Sequence, residues 1–349
     1  MKRRDELLVG LLLLVAVALA LGGTIWIARG GLKRGYPMYS QFPWGAGLKP
    51  GQQVLLATSY DFAAWSEPVP LIEPRPGKKG TPLILTTAGF HPHAGRLVAY
   101  AGQYAEDRSD TRLLAGSTPV GEHLDPVQDL GIAIIPNHGP QKIANGRLIL
   151  SGNITFPYTD DPGGLSGWQV AGLHPPDLGD ISDNPFSFWK IAQIYGWPAA
   201  LCEGSFFQTG DGVIHMLLRA TGEGQRGRLW VTESRDGGEI WSSAIETEFR
   251  NDDAKFHCGR LPDGCFYYIG NPVPGGRRNP LVLSLSQDGE TFDRHFVIAD
   301  EPYEMKRPGR WKGGEYGYPH TLVHDGAMHV IVSRQKEAVE VFRFPLNEL

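Results

Sequence analysis

One pattern of apolar and polar positions returns along this chain: a turn containing glycine, then a strand whose apolar side chains alternate with polar ones or run on unbroken. It reads AGRLVAY at 94–100, NGRLILS at 145–151, DGVIHMLLR at 211–219, DGCFYYIG at 263–270 and DGAMHVIVSR at 325–334. Asn-Gly and Asp-Gly tolerate the positive φ that a tight hairpin demands, so these copies predict β-hairpins. The turn glycines fall at 95, 146, 212, 264 and 326, a spacing of 51 to 66 residues. A β period of that size predicts propeller blades of about four strands each. Over residues 35–349 it gives six blades, or seven if the blades are short, and no long amphipathic helical pattern interrupts them. The expected fold class is all-β, a six-bladed β-propeller.

The N-terminal 34 residues follow a different pattern. MKRRDE precedes about 22 uncharged residues, LLVGLLLLVAVALALGGTIWIA, which is long enough to cross a bilayer core as a helix. An uncleaved transmembrane anchor is the favoured reading, while Ala18, Leu19 and Ala20 keep a signal-peptide cleavage pattern open. Lys2, Arg3 and Arg4 place the N-terminus inside, and Arg29, Lys33 and Arg34 dilute that bias. The expected organisation is a membrane anchor or signal segment over 1–34 and a propeller domain over 35–349. The propeller lies outside the cytoplasm, anchored to the membrane through the helix or else secreted or periplasmic.

Composition supports a folded, turn-rich chain. Gly numbers 45 and Pro 27, and charged residues make up only 20%, which argues against disorder. A formal charge of −5 gives no reason to expect nucleic acid as a partner. Cys258 and Cys265 flank the turn RLPDG, where they stand diagonally rather than opposite, so buried free thiols are expected over a disulfide. No Cys/His spacing resembles a zinc site, and neither metal nor cofactor is expected.

A second repeat is more specific. SRDGGEIW at 234–241 fits S-x-D-x-G-x-x-W, SQDGETF at 286–292 is one residue shorter, and SYDFAAW at 59–65 is a weaker copy. The Ser and Asp side chains tie down a turn backbone, glycine permits its geometry, and the aromatic plugs the space between strands. This resembles the Asp-box of sialidase-type propellers, a structural element rather than a catalytic one.

Around that box, EGSFFQTGDGVIHMLLRATG…RLWVTESRDGGEIW places Glu203 and Arg219 on the two sides of one hairpin. RRNPLVLSLSQDGETF, from Arg277, contains Arg278, and YGYPHTLVHDGAMHVIVSR contains Tyr318. Together these segments resemble the sialidase (neuraminidase) superfamily from Glu203 to the C-terminus. The resemblance implies a glycoside hydrolase acting on an acidic oligosaccharide or polysaccharide. Tyr318 is then the nucleophile, Glu203 the base that takes its proton, and Arg219 and Arg278 the clamp on the sugar carboxylate. Tyrosine is a weak nucleophile at its ordinary pKa and needs such help, and guanidinium suits carboxylate through charge-assisted bidentate bonds.

The pattern departs from that family in three places. No R-I-P tripeptide marks a first arginine, although Arg75 and Arg96 are available, and no acid-supplying aspartate is identifiable. Tyr318 is followed by Pro319 and His320 rather than a small residue. Histidines near predicted loop ends add candidates: His138, His257 beside Arg260, and His320. Histidine moves protons near neutral pH, and the pattern is similar to propeller-type polysaccharide lyases. In that alternative His138 or Tyr318 abstracts the C5 proton of a uronate and Arg219 or Arg260 stabilises the resulting charge. His257 and His320 join the substrate-binding set. A non-catalytic glycan- or protein-binding propeller is the third reading.

Overall fold

The computed structural model describes residues 54–349, apart from 60, 62–63, 74–75, 78–79, 106–109, 120–126, 174–187 and 307–312. The expected anchor and the boundary at 34/35 lie outside the described residues. Among the described residues no helix is long and apolar enough to cross a membrane.

The chain divides into two compact units. One comprises 1–39 and 56–69, and its described part includes Ser59, Asp61, Ala64 and Trp65 of the degenerate copy SYDFAAW. There the Ser59 hydroxyl donates to Asp61 at 3.2 Å, and Asp61 accepts from the Ala64 amide at 2.8 Å. The other comprises 40–55 and 70–349 and carries most of the structure.

The fold is all-β with almost no helix. Two short strands, β1 (Val54–Leu56) and β2 (Val69–Ile72), make a two-stranded sheet. Antiparallel meanders follow, each in chain order. The first holds β3 (Ile84–His93), β4 (Arg96–Tyr104), β5 (Arg112–Pro119) and β6 (Gln128–Asp129). The next holds β7 (Gln141–Lys142), β8 (Leu148–Ile149) and β9 (Tyr158–Thr159). A short helix, α1 (Phe188–Tyr195), precedes β10 (Ala200–Gln208), β11 (Ile214–Thr221), β12 (Arg228–Ser234) and β13 (Ile245–Arg250). Then come β14 (His257–Arg260), β15 (Phe266–Gly270), β16 (Leu281–Ser286) and β17 (Arg294–Ala299). The last holds β18 (Gly317–His324), β19 (Ala327–Arg334) and β20 (Ala338–Pro345).

The unbroken run MLL in β11 follows from burial on both faces of its sheet. Met216 and Leu218 pack with Ile149 and Phe156 of the preceding meander, whereas Leu217 packs with Phe256, Cys258 and Tyr268 of the following one. Tyr267, Ile269 and Leu283 in turn pack against Met328, Val330 and Val332. Each fully buried side chain of this kind contributes about 1.5–3 kcal/mol, so the sheets are held mainly face to face.

The first strands of successive sheets also lie side by side. A Cβ at Gly89 of β3 would sit 2.1 Å from the Gly139 amide nitrogen, just ahead of β7. The Gly204 amide of β10 donates to the Gly152 carbonyl at 3.1 Å, and the Cys258 amide of β14 donates to Ser205 Oγ at 3.0 Å. His257 and Thr321 join β14 to β18 through a 2.5 Å contact between Nδ1 and Oγ1.

The hairpins appear at every expected turn glycine, in two forms. Ala94–Gly95 and Asp325–Gly326 have positive φ at both residues and close two-residue turns between His93 and Arg96 and between His324 and Ala327. At 146, 212 and 264 only glycine takes positive φ, and its amide reaches the carbonyl three residues back. Cys202, Cys258 and Cys265 are buried free thiols, in line with the sequence reading.

The two clear Asp-boxes form as their motif demands. Asp236 Oδ1 accepts from Ser234 Oγ and from the amides of Glu239 and Ile240, and Trp241 Nε1 donates to the Gly238 carbonyl at 3.0 Å. Asp288 does the same for Ser286, Glu290 and Thr291. A further copy, TDDPGGLSGW at 159–168, escaped the sequence reading because Thr159 replaces Ser and a Pro enters the turn. Asp161 accepts from the amides of Gly163, Leu165 and Ser166, and Trp168 Nε1 donates to the Gly164 carbonyl at 3.0 Å. Asp161→Ala and Asp236→Ala are each expected to lower the free energy of unfolding by about 1–2 kcal/mol, as read by urea denaturation. An Asp161→Ala protein as stable as the parent would contradict a box at 159–168.

Candidate active site

Two β-bulges aim the central side chains. In β10 Cys202 pairs with Arg219 and Gly204 with Leu218, so Glu203 is the extra residue. In β18 Gly317 pairs with Ser333 and His320 with Ile331, which sets Tyr318 and Pro319 opposite Val332 alone. A bulge leaves its extra residue outside the ladder and turns the side chain, a device found beside active sites. Tyr318 also holds φ +57° and Arg278 +52°, left-handed conformations that cost a bulky side chain of order 1–3 kcal/mol. Gly314 makes room for Arg278, because a Cβ there would sit 2.3 Å from Arg278 Cδ.

Arg219 is engaged by two carboxylates. Its Nη1 donates to Glu203 Oε2 at 2.9 Å and its Nε to Asp253 Oδ1 at 2.6 Å, while Thr221 Oγ1 donates to the other Asp253 oxygen at 2.9 Å. Burial opposes the charge on Glu203, but Arg219, the Cys202 thiol and Lys255 outweigh it and hold its carboxyl at about 2. Glu203 is therefore fully ionised at neutral pH.

Tyr318, half-buried, is ringed by cations. Lys336 Nζ lies 5.0 Å, Arg278 Cζ 5.3 Å and Lys255 Nζ 5.8 Å from its ring centroid. Burial pushes the phenol up and so does Glu203, yet Lys336, Arg278 and Arg219 prevail and draw it below its ordinary value. Lys255 donates to the backbone carbonyl of Asn137. Burial pulls its ammonium down to about 8, against the pull of Glu203 and Tyr318. Among the described residues no carboxylate pairs with Lys255, Arg278 or Lys336.

The histidines converge as well, but as a packed cluster. Ring centroids of His138 and His257 are 4.8 Å apart, of His257 and His320 4.7 Å, and of His138 and His320 6.0 Å. His138 Nε2 meets Ser151 Oγ at 3.2 Å and Nδ1 the Gly139 carbonyl at 3.3 Å. Thr321 Oγ1 links His257 to Tyr267. Burial, then neighbouring charge from His320 and Lys255, holds His138 and His257 well below their ordinary pKa. His320 falls to about 4 through burial and Lys255. His138 lies in the loop ahead of β7 and His257 opens β14; both are buried, at 1% and 3% exposure, and the ring nitrogens of His138 are both occupied.

Glu203, Arg219, Arg278, Tyr318 and His320 thus share one neighbourhood, reached from β10, β11, the 271–280 loop and β18. Arg260 does not join them: it is exposed, donates to the Gly264 carbonyl at 3.0 Å and covers the Phe266 ring. Arg96 is held by Ser117 beside the β3–β4 turn, and Arg75 lies outside the described residues. The sequence reading missed Asp253, Lys255 and Lys336. NDDAK at 251–255 offered a signal, since it precedes the first strand of its sheet, where Glu203 and Tyr318 also sit. Among the described residues no His, Cys, Asp and Glu group is arranged to hold a metal ion. Two cavities lie elsewhere, one beside Arg112 and Asp129 and the other beside Cys265 and Arg294.

A family model described as BNR repeat-like domain matches residues 49–330. The sequence matches no curated protein. The structure is similar to a protein of unknown function from Dyadobacter fermentans, with TM-score 0.58 and 13% identity over 87% of this chain and 91% of that one. It is similar to NanB sialidase from Streptococcus pneumoniae (K499G mutant), with TM-score 0.56 and 14% identity over 91% of this chain and 69% of that one. Trypanosoma rangeli sialidase with 2,3-difluorosialic acid gives TM-score 0.58 and 14% identity over 91% of this chain and 57% of that one. At these identities the likeness concerns the fold, and the chain spans little more than half of the trypanosomal protein.

Three buried, neutral imidazoles set a pH dependence of stability. The unfolded chain takes up protons below about 6.5, the ordinary histidine value, whereas the folded cluster resists down to about 4 at His320. Stability is therefore fully present above pH 6.5 and falls as pH drops through that window. Below about 4.5 the Glu203 carboxylate, held at about 2, adds a further loss. Urea denaturation across this range should show His257→Gln flattening the upper part of the slope; an unchanged slope would contradict a neutral cluster.

Proposed function

The chain belongs to the BNR repeat-like domain family, within the sialidase superfamily, and on that premise we propose that it is a glycoside hydrolase acting on acidic glycans. The six antiparallel sheets among the described residues are read as six propeller blades, and residues 1–34 as the segment that carries the domain out of the cytoplasm, as a membrane anchor or a cleaved signal.

One observation carries the functional reading. Three cations without a carboxylate partner among the described residues surround the Tyr318 ring, in a protein whose formal charge is −5. Unpaired cations in a half-buried place are costly unless an anion completes the site. The same cations stabilise a phenolate, the form in which tyrosine attacks. A sugar bearing a carboxylate fits both requirements.

In this reading the Tyr318 oxygen forms a bond to the anomeric carbon as the glycosidic carbon–oxygen bond breaks, and the leaving oxygen takes up a proton from water. Water then releases the sugar from tyrosine. Glu203 stands ionised, ready to accept the phenol proton. A carboxylate held near 2 is a reluctant base, so the barrier to that transfer is lowered chiefly by the cations that favour the phenolate. Arg219, already held by Glu203 and Asp253, offers Nη2 to an uncharged oxygen of the substrate. His320 borders the site, His138 and His257 support it from below, and Arg260 has no role in it.

Fluorogenic α-sialosides and uronides provide the test. Tyr318→Phe is expected to lower kcat by on the order of 10³-fold or more while the protein stays folded, and Glu203→Gln by about 10²–10⁴-fold. Undiminished turnover in Tyr318→Phe contradicts the mechanism. An unsaturated uronate product, formed without consumption of water, would instead identify a lyase.

A further inference from the structure

We propose that Lys255, rather than Arg219, is the residue that receives the substrate's anionic group beside Tyr318 and so makes the site specific for acidic sugars. This deepens the reading above and rests on it for the substrate being anionic.

The cations differ in what they already hold. Arg219 faces two carboxylates at 2.9 and 2.6 Å, so its local charge balance is already negative before any ligand arrives. A third carboxylate at Arg219 would meet Glu203 and Asp253 at close range, and like charges so placed repel. Lys255 has the opposite balance. Its one hydrogen-bond partner among the described residues is the neutral carbonyl of Asn137, and an ammonium has three donors. Two therefore remain for a ligand.

Its position is equally specific. Asn137 is itself buried and pinned, its Nδ2 donating to the carbonyls of Gly152 and Gly204 at 2.9 and 3.0 Å. The carbonyl that holds Lys255 is thus fixed where the first strands meet. From there Lys255 acts electrostatically on Glu203 of β10, on His138 ahead of β7, on His257 of β14 and on His320 of β18. Arg219 of β11 and Tyr318 of β18 act on it in return. The Lys255 ammonium lies 5.8 Å from the Tyr318 ring centroid, and Arg278, at 5.3 Å, already reaches the Asp253 carbonyl. The three histidines around Lys255 are neutral, so a ligand anion finds its charge unopposed there except by Glu203.

Such a site has a pH limit that an arginine site lacks. The ammonium, drawn down to about 8 by burial, is lost as pH rises through that value, and with it the attraction for an anion. Guanidinium stays charged throughout.

The test is binding, measured separately from turnover. Titration calorimetry of the full chain with free sialic acid and with glucuronate is run at pH 7 and again near pH 9.5. For at least one of these sugars the parent protein is expected to bind at the lower pH and lose about tenfold or more in affinity at the higher, equivalent to about 1.4 kcal/mol. Lys255→Met should lose a similar factor already at pH 7. Lys255→Arg should bind at both pH values, a rescue that a merely structural lysine would not show. Circular dichroism confirms that each variant is folded. Unchanged binding by folded Lys255→Met overturns the proposal, as does equal pH dependence in Lys255→Arg and the parent, or no binding of either sugar by the parent. If the binding pattern holds and no glycoside is cleaved, the hydrolase reading alone falls. If Tyr318-dependent cleavage is found and Lys255→Met binds normally, only the role of Lys255 falls.

Discussion

The first strands of successive sheets approach one another so closely that side chains are excluded at some of their contacts. A Cβ at Gly89 would collide with the Gly139 backbone, and one at Gly139 would sit 2.4 Å from the Phe90 carbonyl oxygen. At other contacts small hydroxyls mediate, with Ser205 between β10 and β14 and Thr321 between β14 and β18. This crowding is the constraint on which the site depends. It brings residues more than a hundred positions apart, such as Asn137 and Lys255, into hydrogen-bond contact. It also leaves little space along the shared edge, so Glu203 and Tyr318 leave the ladder at bulges near the strand starts.

The electrostatics follow from that placement. Carboxylates and guanidinium on β10, β11 and the 251–256 segment neutralise one another around Arg219, whereas the cations around Tyr318 stay uncompensated. Three imidazoles nearby are kept neutral by burial, so they add no charge of their own. The result is an anion-seeking surface in a protein of net negative charge, with a phenol whose ionisation the same cations favour. On the proposed reading, affinity for an acidic ligand and reactivity of Tyr318 share one physical cause.

Much of this was legible in the chain. Positive-φ turn residues announced the hairpins, and Ser-x-Asp turns announced the boxes at 234 and 286. The box at 159 was hidden because Thr159 stands where the pattern has Ser, its hydroxyl accepting from the Asp161 amide and donating to the Ser166 carbonyl. Glu203, Arg219, Arg278 and Tyr318 were legible through family resemblance, and the structure gathers them. Lys255, Asp253 and Lys336 were not, because a charged residue in a loop carries no periodicity and its partner is decided by how sheets meet. His138 and His257 were visible as chemistry-bearing residues, but only packing reveals that both are buried, and Arg260 that it closes a turn instead.

The central claim is that Tyr318 is the atom-transferring group of an acidic-sugar site. It is tested most directly by mass spectrometry after exposure to an acidic glycosyl fluoride carrying a second fluorine beside the anomeric carbon, which slows release of a sugar bound to tyrosine. The account predicts one added sugar per chain, located on the peptide containing Tyr318 and absent from Tyr318→Phe. An unmodified protein that still turns over an acidic glycoside, or an adduct on any other residue, would contradict it.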